Sequence, residues 1–479
     1  LDQKLVSLIK SETLEYPKAP FNPPEIYPEF ELEELEYETD TLNNIYPLIR
    51  NLLFNLGLDK ENYNTKFWNP LKNIVEKGDN VVIKPNLVFD NHPFGLEGIL
   101  SMVAHASIIR PVIDYALKAT DNNCLITICD VPLQNADWDN LIEQNGLKDL
   151  VKYYDSKKIK INLLDLRYEI AISNKEGHHY KRIKKAQDPK GYLAVDLKKK
   201  SYIQEIIKDY RKLEITNYGI GTVSKRHNYE KNEYLIPKTI LDADLFINVP
   251  KLKTHRKAGV TLSLKNLIGI NGDKSWIAHH RRGVDEYEKF NLKEFIKWRV
   301  NYYSKLYMPN FFNTLLKKLF RIIFLKGKTI KEHGAIYGGT TMEGNWYGND
   351  TIWRTILDLN NIIFFANKNG EMKETQQRKY MTIIDGIIGM DKEGPMDGYP
   401  KKCGVLIGGF HPVAVDYVAS YIMGFNFIKI PKIREGFKEK YFKLTQFNHD
   451  EIIVNSNIDW KNLNLNFAAS KGWKGHCER

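Results

Sequence analysis

The densest chemistry in the 479-residue sequence lies between Lys251 and Gly283. Lys251, Lys253, His255, Lys257, Lys265, Lys274, His279, His280, Arg281 and Arg282 are interspersed there with Asn266, Asp273, Gly259, Gly269 and Gly272. Cations beside glycines suit a small phosphate or carboxylate, because the side chains supply charge and Cβ-free backbone brings N–H groups close. A solvated basic face is the plainer alternative. Against it stands the apolar run Val260-Thr261-Leu262-Ser263-Leu264, which points to burial. Histidine titrates near neutral pH, so His255 and His279 are the expected general acid or base, with Lys265 beside them. His255 is expected to stay neutral in a strongly positive pocket. Lys84, Asn86, Lys251, Lys253, Asn266 and Lys274 are expected to bind the anion. The segment contains no GxxxxGK[ST] pattern, which excludes a Walker loop.

Two further clusters carry polar groups. Gly344-Asn345-Trp346-Tyr347-Gly348-Asn349-Asp350-Thr351 leads into a helical pattern that holds Arg354 and Asp358. Asp350, Arg354 and Asp358 recur at every fourth residue and so share one helical face, either as an ion-pair ladder or with Asn349 and Arg354 on the substrate. The other cluster is Asp385-Gly386-Ile387-Ile388-Gly389, followed by His411-Pro412 and Asp416. An Asp at a strand end before a Gly-rich loop suits catalysis or a metal. Asp130, Asp385 and Asp416 are therefore the candidate ligands for a divalent ion, although no spacing approaches HExxH. No GxSxG elbow and no GxGxxG after the first strand occurs, so triad hydrolysis and ordinary dinucleotide binding lose support.

The elements that must position these residues alternate. Residues 47–76 read as helices and Val81-Val82-Ile83 as a buried strand halted at Lys84-Pro85-Asn86. Ser107 to Thr120 has helical spacing, Leu125 to Ile128 is a strand ending at Asp130, Leu141 to Tyr154 is helical and Lys160 to Leu164 extended. Leu245 to Val249 is a strand running into Pro250-Lys251, Thr382 to Asp385 and Gly404 to Gly408 are strands, and Thr351–Asn360 and Val413–Met423 are helices. The β-α-β order predicts an α/β fold with a doubly wound, mainly parallel sheet in two Rossmann-like lobes. Residues 1–45 are expected as an N-terminal arm and 46–240 as the first lobe, with a β-rich excursion from Asn174 to Lys200. Residues 241–287 and 331–479 are expected as the second lobe, and 288–330 as a helical insertion. Within the insertion, 311–326 reads as a basic amphipathic helix, suited to packing on the body or to an anionic membrane surface.

Composition narrows the partners. Seventy Lys and Arg against 59 Asp and Glu give a net charge of +11, which favours anionic ligands. No basic region is interleaved with aromatics in a nucleic-acid-binding pattern, so no nucleic-acid partner is expected. The four cysteines, Cys124, Cys129, Cys403 and Cys477, form no CxxC pair, and no iron–sulfur cluster is expected. No run of apolar residues is long enough to span a membrane, and the opening residues lack the order of a secretory signal. A cytoplasmic location is the expectation.

Several of these stretches together are similar to the family called domain of unknown function 362. They are Val82-Ile83-Lys84-Pro85-Asn86-Leu87, Asp130-Val131-Pro132, Ala243-Asp244-Leu245-Phe246-Ile247-Asn248, Val249-Pro250-Lys251-Leu252-Lys253-Thr254-His255, Ser263-Leu264-Lys265-Asn266-Leu267-Ile268-Gly269, Trp346-Tyr347-Gly348-Asn349-Asp350-Thr351, Asp385-Gly386 and Pro412-Val413-Ala414-Val415-Asp416. The resemblance spans most of residues 80–425 and implies no activity. Some members of that family carry ferredoxin-like cysteines, which this chain lacks. Where the pattern has Asp before Pro-Val-Ala-Val-Asp, this chain has His411.

The expected function is an enzyme for a small anionic substrate, phosphorylated or carboxylated and sugar-derived in one version, working by Lys/His/Asp acid–base or metal-assisted chemistry. Its class (hydrolase, transferase or isomerase), its cofactor and the presence of a divalent metal stay open, as does a homodimer. The alternatives are a non-catalytic, membrane-surface component of a glycan or lipid assembly system acting through 311–326, and a redox protein, which the cysteine count disfavours.

Overall fold

The computed structural model describes residues 1–30, 38–173, 179–216, 218, 221–285, 342–438 and 440–479. The 311–326 helix and the whole 288–330 insertion lie outside the described residues.

Ten strands make one mixed, mostly parallel sheet. They are β1 (Leu5–Lys10), β2 (Asn80–Pro85), β3 (Leu125–Asp130), β4 (Ile161–Asp165), β5 (Leu245–Val249), β6 (Lys251–His255), β7 (Gly259–Val260), β8 (Lys379–Asp391), β9 (Tyr399–Gly409) and β10 (Ile453–Ser456). The order across it is β10-β1-β9-β8-β5-β2-β3-β4, with β6 paired to β8 and to β7. β8, β5, β2, β3 and β4 run parallel to one another. β9 is antiparallel to both β1 and β8. Strands assigned from the sequence to two lobes thus pair in a single sheet. Leu5–Lys10, expected in an irregular arm, is a sheet strand between β9 and β10.

Among the described residues the α-helices are α1 (Ile45–Asn55), α2 (Gly95–Met102), α3 (Ala106–Thr120), α4 (Trp138–Gln144), α5 (Leu147–Ser156), α6 (Lys238–Leu241), α7 (Leu262–Asn266), α8 (Ile352–Phe365), α9 (Pro412–Met423) and α10 (Pro431–Gly436). Residues 47–76 were expected as helices. Instead α1 ends at Asn55 and the chain turns at Gly57, whose φ of 80° continues no right-handed helix. The 141–154 pattern likewise divides into α4 and α5 at Gly146, with φ 84°. The β-rich excursion contributes a hairpin of Glu169–Ser173 with His179–Lys184, and a pair of Tyr192–Asp196 with Glu233–Pro237.

Strands covered on both faces read as continuous apolar runs, and successive side chains point to opposite sides. Val81 and Ile83 of β2 and Leu245, Ile247 and Val249 of β5 join the core under α1, α2, α3 and α5. Val82 and Phe246 join the other core, with Ile352, Ile356 and Ile363 of α8 and Val413 and Val418 of α9. Each fully buried aliphatic chain adds roughly 1.5–3 kcal/mol. The same alternation sends Lys84, two after Val82, and Asn248, two after Phe246, to the second face, where α7 packs. Among the described residues no single helix is long and apolar enough to cross a membrane; α2 and α3 pass that test only as a pair bent by 44°.

Candidate functional site

The adjacent parallel strands β2, β3 and β5 carry Lys84, Asp130 and Asn248 at or one residue before their carboxyl ends, and ligands of open α/β sheets sit beyond such ends. Over these ends lies α7, a short helix pinned at every turn. Asp416 accepts the N–H groups of Ser263 at 2.6 Å and Leu264 at 3.1 Å, and Lys432 holds that carboxylate at 2.9 Å. Ser263 Oγ meets Thr382 Oγ1 at 3.0 Å. Asn360 of α8 donates to Leu264 O at 3.0 Å. Leu262, the first helical residue, is held at φ 52°, a left-handed conformation that costs a branched side chain about 1–2 kcal/mol.

Lys265 and Asn266 leave this pinned helix in different directions. Asn266 Oδ1 accepts from Asn86 Nδ2 at 2.8 Å and Lys84 Nζ at 3.2 Å, and its Nδ2 donates to Asn248 Oδ1 at 2.7 Å. It therefore stitches β2 to β5. Lys265 is half-buried, and its Nζ has no hydrogen-bond or ion-pair partner among the described residues.

The other lysines of the cluster are held. Lys84 bonds Asp130 at 2.7 Å as well as Asn266, and both partners are buried. Gly269 packs its backbone directly on this pair: a Cβ there would stand 2.5 Å from Asp130 Oδ1 and 2.7 Å from Lys84 Nζ. Lys251 bonds Asp385 at 2.9 Å and Tyr16 Oη at 2.6 Å. Lys274 donates to Val131 O at 2.8 Å and Lys253 to Met102 O at 2.6 Å.

These contacts reassign several expected roles. Asp130, Asp385 and Asp416, the candidate metal ligands, are each closed by their own buried lysine, Lys84, Lys251 and Lys432. Among the described residues no three His, Cys, Asp or Glu side chains converge as a metal would need. Asp385 accepts further from Tyr16 Oη at 2.7 Å and from the N–H of His105 at 3.0 Å. The pair forms because the register of β6 on β8 sets Lys251 opposite Asp385. Gly386 and Gly389, expected in a ligand loop, lie within β8. A Cβ at Gly386 would meet Val405 Cγ2 at 2.6 Å, and one at Gly389 would meet Leu252 O at 2.7 Å, so both serve strand packing.

The polar groups of the second cluster are bonded within the fold. Asn349 Oδ1 accepts the N–H groups of Thr351 and Ile352 at 2.9 and 3.1 Å, in the manner of a helix cap. Arg354 pairs with Asp350 at 3.1 Å and with Glu205. Asp358 is not the third rung of the ladder: it accepts from Ser201, from Tyr202 N–H at 2.8 Å and from Tyr234 Oη at 2.9 Å. His411 bonds Leu444 O at 2.8 Å through Nε2.

What is left is a nest of cations without enough counter-charge. Lys253, Lys265 and Lys274 form no ion pair with a carboxylate among the described residues. Burial first, and then neighbouring lysines, pushes Lys265 down to about 7. Burial, opposed in part by Asp130, lowers Lys274 to about 7. Burial followed by Lys265 and Lys253 holds His255 well below the usual imidazole range, and burial followed by Lys257 and Lys265 does the same to His279. Both ring nitrogens of His279 are buried and unbonded.

His255 is 5% exposed, and its Nδ1 accepts the N–H of Lys257 at 3.1 Å. That bond assigns the proton of the neutral ring to Nε2. His255 therefore presents an N–H donor at Nε2. Sequence reading missed Tyr16, His105 and Lys432. Tyr16 sits in a stretch without periodicity, and neither Lys432 nor His105 carries a local motif.

The family model described as Domain of unknown function (DUF362) matches residues 199–421. The match takes in β5 to β8 and α7 with Lys253, His255, Lys265 and His279, and it begins after Lys84, Asn86 and Asp130. No curated protein matches the chain.

Proposed function

We propose that this chain, which belongs through residues 199–421 to the family of domain of unknown function 362, is an enzyme that binds a small phosphorylated or carboxylated substrate at α7 and the β6 end. One observation carries the reading: Lys253, Lys265 and Lys274 are gathered with His255 and His279 without a paired carboxylate. Buried like charges repel and are tolerated when a counter-charge arrives. A bound anion would supply it. In this reading Lys265 and Lys253 hold the anion, the Nε2–H of His255 donates to an oxygen, and His279 moves a proton. The pKa of about 7 on Lys265 suits a group that gains or loses a proton during turnover at neutral pH.

The test is a panel of phosphorylated and carboxylated metabolites screened by thermal midpoint, with every hit followed for consumption by the wild type and His255→Asn. An anionic hit consumed by the wild type and spared by a folded His255→Asn is the expected result. A panel in which neutral compounds alone raise the midpoint, or a variant as active as the wild type, overturns the proposal.

A further inference from the structure

We infer that Lys265 is a nucleophile that forms an imine with the carbonyl carbon of an anionic aldehyde or ketone. The inference rests on the anion site proposed above and names its substrate class.

The geometry that points to it is a contrast among neighbouring lysines. Lys84, Lys251, Lys253, Lys274 and Lys432 each donate to a named oxygen between 2.6 and 3.2 Å away. Such bonds occupy the ammonium protons and tie up the nitrogen. Lys265 alone of these six has no acceptor among the described residues, and it keeps partial exposure. It also extends from a helix whose backbone is fixed by Asp416, Asn360 and Asn248, so the stem starts from a rigid base. An amine must shed its proton to attack. Burial, and after it the surrounding cations, favours that loss, in line with the pKa of about 7 at this residue.

The step balances without a co-reactant. The Lys265 nitrogen lone pair forms a bond to the carbonyl carbon, and the C=O π pair moves to oxygen, which takes up a proton. The carbinolamine then loses that oxygen as water, with the second water proton coming from the former amine nitrogen, and leaves a C=N bond. His279, whose two ring nitrogens are buried and unbonded, can carry the proton between nitrogen and oxygen. The Nε2–H of His255, whose Nδ1 is occupied, can donate to the anionic group. Protonation of the imine keeps one positive charge at this position, facing the same anion.

The experiment uses the full chain with pyridoxal 5′-phosphate at near-stoichiometric concentration, reduction with borohydride, and peptide mapping. Pyridoxal, the same aldehyde without phosphate, is the control. Inorganic phosphate binding is measured calorimetrically on the same preparation. The expected result is label on Lys265 from the phosphorylated aldehyde, at least roughly tenfold more than from pyridoxal, and suppressed by phosphate. Lys265→Arg should lose that label. Phosphate binding together with label confined to other lysines overturns the imine and leaves the anion site standing. Absence of phosphate binding, with equal labelling by both aldehydes, overturns both.

Discussion

Replacing Lys265 with Met should change how stability depends on pH, and the size of the change follows from the burial of the ammonium. Its pKa lies near 7 in the fold, against 10.5 unperturbed. Between those values the unfolded chain binds more protons than the folded one, so stability rises with pH. Below pH 7 both states carry the proton and the unfavourable contribution is constant. From pH 7 to pH 9 the gain from this one group is about 2 kcal/mol. Lys274, lowered to about 7 as well, should add a similar rise. Urea denaturation of ligand-free protein at pH 7, 8 and 9 reads these slopes directly. Wild type should gain stability across the range, and Lys265→Met should gain about 2 kcal/mol less, starting from a higher value at pH 7. Parallel slopes for the two proteins, or a variant that is less stable at pH 7, would refute the claim that Lys265 is a half-buried and uncompensated cation.

The remaining predictions concern neighbours. Asp416→Asn leaves Lys432 buried without its carboxylate and weakens the hold on α7; it should cost about 3–5 kcal/mol in urea denaturation. Tyr16→Phe removes one hydroxyl from Lys251 and Asp385 and should cost about 1–3 kcal/mol while leaving anion binding unchanged in a phosphate titration. Gly269→Ala drives a methyl to 2.5 Å from Asp130 and 2.7 Å from Lys84, so the thermal midpoint should fall by an amount equivalent to about 1–3 kcal/mol. Phosphate affinity itself should weaken as pH rises from 7 to 9, because the lysines that attract it lose their protons.

The strands β2, β3, β4 and β5, parts of β8 and β9, and most helices were legible because their signals are local. Val81-Val82-Ile83 and Leu245-Phe246-Ile247 are short apolar runs that only a doubly covered strand needs, and α9 begins with Pro412 and is followed by Gly424 with φ 94°, both readable as punctuation. The concentration of cations between Lys251 and Gly283 was equally visible. Their partners were not, since a lysine's role is set by what lies across space. Lys251 and Lys253 read alike in sequence, yet the first meets Asp385 on a neighbouring strand and the second a carbonyl at Met102. The glycines of Asp385-Gly386-Ile387-Ile388-Gly389 read as a ligand loop because their reason, the close pass of Leu252 and Val405, comes from residues far along the chain. The position of β1 between β9 and β10 depended on pairings about 400 residues away.

The central claim is that Lys253, Lys265, Lys274 and His255 form a site for an anion, and calorimetric titration of inorganic phosphate into the full chain at pH 7 tests it most directly. Saturable binding of one phosphate per chain is the predicted result, with affinity reduced at least roughly tenfold in Lys265→Met. The contradicting result is a wild type that shows no saturable heat with phosphate or with a small carboxylate such as pyruvate, or a Lys265→Met variant that binds as tightly as the wild type.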